Sequence, residues 1–303
     1  MNEEPISMSF CISDSYAQHL AVTLTSVLVN NPSSRFVFHV LHSGVTQENQ
    51  MRVKELEKSY ACELRFHEIA ASAFAGFPIP SGLEHVTRET YFRYLIPEVL
   101  EDERRTIYSD VDVLCVADIS EIWGVDLDGA LMTAVRNYKG ERRGDRRDIV
   151  KLGFSPDSPY FFTGFLVMDL VAMRNEGCAR RLMEATTHYG NHVAFIDLDI
   201  MNLVCEGRIK EIGAMWNETG RYSFLRRDVK MWHFLGFTQK PWCNIWKNYT
   251  WLPYLKYLLK SPYRANALRF VWGHVKGFFF FRYTKRSVTR YLVCGVLVWK
   301  GRS

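Results

Sequence analysis

The first seventy residues alternate apolar runs of strand length with stretches of helical periodicity, and this alternation restricts the fold more than any other feature of the chain. Residues 6–13 (ISMSFCIS) read as a strand, 16–31 as a helix that Asn30-Asn31-Pro32 stops, and 35–44 (RFVFHVLHSG) as a second strand. A polar helix begins after Thr46, and 62–69 (CELRFHEI) form a third strand. Strand–helix–strand units of this size close into right-handed crossovers on a mostly parallel sheet, giving an α/β fold. Such sheets bind ligands beyond the carboxyl ends of their strands, so chemistry is expected in the loops after Ser13, Leu41 and Asp112.

Further along, 85–100 (HVTRETYFRYLIPEVL) are expected to be helical, 105–116 (RTIYSDVDVLCV) a strand, 118–123 a short helix and 160–170 (YFFTGFLVMDL) another strand. Two more helical patterns cover 179–190 and 197–207. With 303 residues, 48% of them hydrophobic, the chain can bury a large core. Its seven cysteines include no C-x-x-C pair and mostly sit in apolar runs, which suits reduced thiols better than disulfides or a zinc site. The start, MNEEPISMSF, lacks a basic segment followed by an apolar one, so no secretion signal is read and a cytoplasmic location is expected.

Asp110 and Asp112 stand two apart in an otherwise apolar run, with Val111 between them. On a regular strand they would point the same way. A solvent-facing polar edge is the ordinary explanation, but Ile107, Val113, Leu114 and Val116 argue for a central strand buried on both faces. Buried carboxylates need compensation, and a hard divalent cation shared with phosphate oxygens would supply it. His233 begins the segment HFLGFTQKPW, in which Gly236 lets backbone N–H groups approach a phosphate and Lys240 offers it a point charge.

The stretch YSDVDVLCVADISEIW resembles the metal-binding D-x-D segment of family 8 glycosyltransferases, retaining enzymes that use nucleotide sugars. FCISDSYAQHLAVTLTSV, FAGFPIP with ETYFRYLIPEVL, YFFTGFLVMDL, FIDLDIMN and HFLGFTQKPW follow the same family order across residues 6–245. The bacterial lipopolysaccharide galactosyl- and glucosyltransferases are the closest likeness. The resemblance implies a GT-A type nucleotide-sugar-binding domain over 1–250. It implies Mn²⁺, or alternatively Mg²⁺, on Asp110, Asp112 and His233. A UDP-galactose or UDP-glucose donor would be held by Cys11, Ser13, Ser15, Tyr16, Arg93, Val111, Thr163, Gly164, Asp197, Leu198, Gly236 and Lys240 in addition to the two metal-bound aspartates. Tyr16 is the implied uracil-stacking residue. Arg93 and Lys240 would stabilise the departing UDP, and Asp197 would bond sugar hydroxyls. Asp197 and Asp199 stand near a helix start, where capping accounts for one of them. Relatives often carry Asp or Asn at 13 and 15, Asn at 163 and Gln at 198, where this chain has Ser, Ser, Thr and Leu. Leu198 cannot act as a nucleophile. Either Asp197 attacks, or the acceptor attacks from the face that UDP leaves, the route favoured here.

After Asp228 the chain has no acidic residue but eight Lys and six Arg, so 229–303 carry +14 within a net +5. From Trp251 onward thirteen aromatics alternate with eleven basic residues. The longest apolar run, 291–299, is too short to span a bilayer, and no RNA-binding signature accompanies the charge. Residues 251–303 are therefore expected to be a basic, aromatic, helical extension that lies on an anionic membrane, at the inner face of the bacterial inner membrane, with no nucleic-acid partner. The acceptor would be lipid-linked or an oligosaccharide, and the basic segment 136–151 could face it. The rival functions are a metal-dependent nucleotidyltransferase and a non-catalytic carbohydrate- or membrane-binding relative.

Overall fold

The structure is a computed structural model that describes residues 4–79, 87–220, 225–243, 248–285, 288–293 and 296–302. Pro80, His85, Val86 and Cys294, which carry parts of the expectations above, lie outside the described residues. The central sheet contains β1 (Ile6–Ile12), β2 (Phe36–His42), β3 (Cys62–Glu68), β4 (Arg105–Ser109), β6 (Met132–Val135), β7 (Phe165–Asp169) and β8 (Ile209–Ile212). Their order is β3-β2-β1-β4-β7-β6-β8, parallel from β3 to β4 and between β6 and β8, with β7 antiparallel to both of its neighbours. The expected mostly parallel α/β sheet is what forms.

Both faces of this sheet are covered, which is why β1 and β2 read as continuous apolar runs. Alternate residues enter two cores. Ile107, Phe165 and Val167 pack with the helix Ala17–Asn30, while Tyr108, Leu166 and Met168 pack with the helices Cys178–Tyr189 and Ile196–Val204.

The strand expected over 105–116 is broken. β4 ends at Ser109, and β5 (Val113–Cys115) leaves to pair antiparallel with β9 (Met231–His233) in a separate two-stranded sheet. The helix Ala17–Asn30 holds the departing strand. Thr23 Oγ1 donates to the carbonyls of Val111 and Val113, Ser26 Oγ accepts from the Cys115 N–H, and Asn30 Nδ2 donates to the Cys115 carbonyl. These polar side chains supply partners that a continuous ladder would otherwise have given. Asp110 and Asp112 therefore sit in the gap between two sheets and not side by side on one strand face.

Residues 88–95 form 3₁₀ turns instead of the expected α-helix, which is confined to Ile96–Val99. Pro97 has no N–H to give the Arg93 carbonyl, which the Ile96 N–H takes instead.

The C-terminal part is helical, as expected, over Trp251–Leu258 and Ala267–Phe279. It continues into an antiparallel sheet of β10 (Phe280–Lys285), β11 (Val288–Val293) and β12 (Val296–Arg302), which the sequence reading missed. Tyr254, Tyr257, Leu258 and Tyr263 join the same core as Leu20 and Leu24, so the change in composition near 229 marks no gap in packing. Among the described residues six cysteines are free thiols and no helix is long and apolar enough to cross a membrane.

Candidate functional site

A cleft of about 250 Å³ opens beyond the carboxyl ends of β1 and β4. Cys11, Ser13, Tyr16, Arg93, Asp110, Val111, Asp112, Thr163, Gly164, Asp197, Leu198, His233, Gly236 and Lys240 all line it. Ser15 does not: it is exposed on the first turn, and its Oγ lies 3.1 Å from that of Ser13.

The β5–β9 register sets Val113 opposite His233, which brings the imidazole beside Asp112. His233 Nε2 lies 3.4 Å from Asp112 Oδ2 and 3.8 Å from Asp110 Oδ2, and the ligating atoms of all three residues fall within 4.8 Å of one another. The other ring nitrogen, Nδ1, donates to Oδ1 of the buried Asn217 at 2.8 Å, which turns the Nε2 lone pair toward the carboxylates. Burial lowers the pKa of His233, which keeps the ring neutral. A neutral imidazole and two carboxylates form a donor set suited to a divalent cation.

Asp110 divides its oxygens. Oδ1 accepts from Tyr108 Oη at 2.6 Å and from an Arg93 nitrogen at 3.1 Å, which leaves Oδ2 facing His233. Gly164 closes the floor behind them. A Cβ there would stand 2.5 Å from His233 Cε1 and 2.6 Å from Asp110 Oδ2, so no larger residue fits. Lys240 Nζ contacts Asp112 Oδ2, the same oxygen that faces His233, and burial lowers its pKa to about 8.

Arg93 is buried and its donors are already engaged. It serves the Thr90 carbonyl and hydroxyl, the Thr163 carbonyl, Asp110, and Asp197 Oδ2 at 3.0 Å, and it lies over the Tyr108 ring. It thus fixes two carboxylates relative to each other. Three carboxylates (Asp110, Asp112, Asp197) face two fixed cations (Arg93, Lys240), and a divalent cation would reverse that deficit.

Asp199 is the residue that braces the helix start. Its Oδ2 accepts the backbone N–H groups of Ala194 and Phe195, and its Oδ1 accepts from Tyr160 Oη at 2.5 Å. Asp197 is free of that duty and faces the cleft. Ile196, just before it, adopts φ +25°, an uncomfortable conformation for a β-branched residue. Sequence reasoning missed Thr90, Tyr108 and Asn217. Tyr108, two residues before Asp110, was visible in the sequence, but Asn217 carried no signal because its partner is fixed by strand pairing.

A family model described as glycosyl transferase family 8 matches residues 7–246, most of the chain. The chain belongs to glycosyl transferase family 8. Its relatives include a Haemophilus influenzae protein named as a glycosyltransferase, 26% identical over 71% of this chain and 64% of that one, so the chain spans just under two thirds of that relative. The lipopolysaccharide 1,3-galactosyltransferase of Salmonella typhimurium is 23% identical over 89% of this chain and 80% of its own length. Among solved structures, a galactosyltransferase, LgtC, in complex with donor and acceptor sugar analogues shares the fold. Its TM-score is 0.76 at 24% identity, over 84% of this chain and 96% of that one. The GT-A type family 8 fold expected from the sequence is the one found.

Proposed function

We propose that this family 8 glycosyltransferase is a retaining hexosyltransferase that moves galactose or glucose from a UDP-sugar to a lipopolysaccharide or related glycan acceptor, with Mn²⁺ or Mg²⁺. The convergence of Asp110, Asp112 and His233 on one point, with Gly236 and Lys240 on the same cleft wall, carries this reading. The names of the Salmonella and Escherichia coli relatives, lipopolysaccharide galactosyl- and glucosyltransferases, support the choice of donor and acceptor.

Asp110, Asp112 and His233 would hold the cation, which when bound supplies a Lewis acid for the diphosphate oxygens. Lys240 adds its charge to the departing UDP. Tyr16, in the first turn after β1, would stack on the uracil, with Cys11 and Ser13 beside it. Asp197 has one oxygen paired with Arg93 and stays available to bond sugar hydroxyls. That pairing makes it a poor nucleophile, and Leu198 offers none. The acceptor hydroxyl therefore attacks from the face that UDP leaves, and a phosphate oxygen takes its proton.

Incubation with a panel of UDP-hexoses and Mn²⁺ tests this. UDP release with UDP-galactose or UDP-glucose, enhanced by a glycan acceptor, is the expected result. Absence of UDP release with every UDP-hexose, together with no cation-dependent UDP binding, would leave the non-catalytic reading in its place. Pyrophosphate release from a nucleoside triphosphate would favour the nucleotidyltransferase.

The extension supports a membrane-facing position for the acceptor side. On the helix Ala267–Phe279, Leu268 is 85% exposed, Trp272 57% and Phe279 59%, and with Val275 they form one apolar stripe at helical spacing. The surrounding chain is basic throughout, so the occupant that fits is an anionic lipid surface.

A further inference from the structure

The face of the helix Ala267–Phe279 opposite the exposed stripe reaches the donor site. His274 Nε2 lies 2.9 Å from the carbonyl of Pro241, the residue after Lys240, and its Nδ1 lies 3.0 Å from the carbonyl of Phe270. The ring is buried and packed against Trp251 and Phe270, with centroids 5.0 and 4.7 Å away. Burial lowers its pKa, so one nitrogen carries the proton. Each ring nitrogen thus faces a carbonyl oxygen, and the tautomer protonated at Nε2 donates to Pro241, the contact that ties the helix to the Lys240 loop.

The rest of the Lys240 loop is fixed from the same direction. Asn248 Nδ2 donates to the carbonyls of Lys240 and Cys243, and Thr250 Oγ1 donates to the carbonyl of Gln239. Trp242, the next residue, stacks on His19 at 3.5 Å and meets Tyr16 edge-on at 6.0 Å. The loop that carries Lys240 thus spans from the metal-ligating carboxylates to the first turn after β1, and it leans on the C-terminal helix.

We propose that His274 is a positioning residue for Lys240: by holding the Pro241 carbonyl it fixes the loop that presents the ammonium to a nucleoside diphosphate. The C-terminal helix is then part of the donor site as well as a surface element. This rests on the reading of Lys240 as a diphosphate contact.

The test compares His274→Gln, whose amide nitrogen reaches the Nε2 position, with His274→Asn, which reaches only Nδ1. Affinities of the full chain for UDP and for uridine are measured by calorimetry with Mn²⁺, and melting temperatures alongside. His274→Asn should bind UDP about three- to tenfold more weakly, the worth of one hydrogen bond, with uridine unchanged and His274→Gln near wild type. Equal UDP affinity in wild type and His274→Asn, or equal losses for UDP and uridine, would overturn the positioning role. A wild-type protein that binds UDP no better than uridine would instead overturn the diphosphate role of Lys240. Should His274→Asn fail to fold, His274→Leu against His274→Gln gives the same contrast.

Discussion

Gly164 and Asp199 show how much of the site's geometry rests on close packing and bracing. A Cβ at 164 would push into both His233 and Asp110, and neither can retreat, since Asn217 holds one and Arg93 with Tyr108 the other. Gly164→Ala should therefore lower Mn²⁺ affinity roughly 10- to 100-fold and also cost about 1–3 kcal/mol of stability through overpacking. Titration calorimetry with the metal alone checks this, and unchanged affinity would mean that the cation sits elsewhere. Asp199 gives a pH signature. Burial pushes its carboxyl up to about 6, above its ordinary 3.8. The folded state therefore binds its proton more tightly than the unfolded chain. The stability this contributes is complete below about pH 4 and is lost as pH rises through about 6. Relative to Asp199→Asn, wild type should lose on the order of 3 kcal/mol between those limits and then run parallel to it. Urea unfolding of both proteins across pH 4–7 would show it, and a constant difference would refute it.

At the scale of elements, the alternation of strands and helices was readable because each βαβ unit is specified by local pattern, and the two-residue spacing of Asp110 and Asp112 was visible in the same way. The break between β4 and β5 was not. It depends on Thr23, Ser26 and Asn30 of a helix 85 to 89 residues earlier, which hydrogen-bond a strand that its own composition would have kept straight. The 3₁₀ run at 88–95 was encoded by Pro97 but hidden by the helical spacing of its aromatics. The sheet formed by β10, β11 and β12 was obscured by an aromatic, basic composition that suits a helix equally well. These placements alter where the chain can be cut. A cut near 250, which the composition suggests would spare UDP binding, removes buried Tyr254, Tyr257, Leu258 and Tyr263. It also removes the hydrogen bonds of their hydroxyls to His19, Asn30 and Asn49. A chain ending at Thr250 should lose several kcal/mol of stability, at about 1.5–3 kcal/mol per large side chain, whereas one ending at Phe279 should melt near the full-length value. Differential scanning calorimetry of both truncations decides it, and equal melting of the Thr250 truncation and full-length protein would contradict the shared core.

For the whole molecule, charge is divided unevenly along the chain. The first 228 residues are net acidic and supply most of the cleft, while the remainder carries +14, adds His233, Gly236 and Lys240 to the cleft, and bears the exposed stripe. Full-length protein should bind anionic vesicles in low salt and lose most of that binding above several hundred millimolar salt, where the screening length falls toward ~3–5 Å. Substituting Ser for Leu268 and Trp272 should weaken vesicle binding at every salt concentration without changing UDP affinity. Vesicle co-sedimentation reads both effects, and binding that ignores salt and these substitutions would remove the membrane from the proposal.

The two aspartates straddle a seam, one leaving the seven-stranded sheet and the other entering a sheet of only two short strands. A ligand that ties Asp110 to Asp112 therefore fastens the smaller sheet to the larger. Amide hydrogen exchange at Val116 and Phe234, whose N–H groups bond to Lys230 and Asp112, should slow on addition of UDP and Mn²⁺ far more than exchange in β1 or β2. Ligand capture and the local fastening of this fold are then one event.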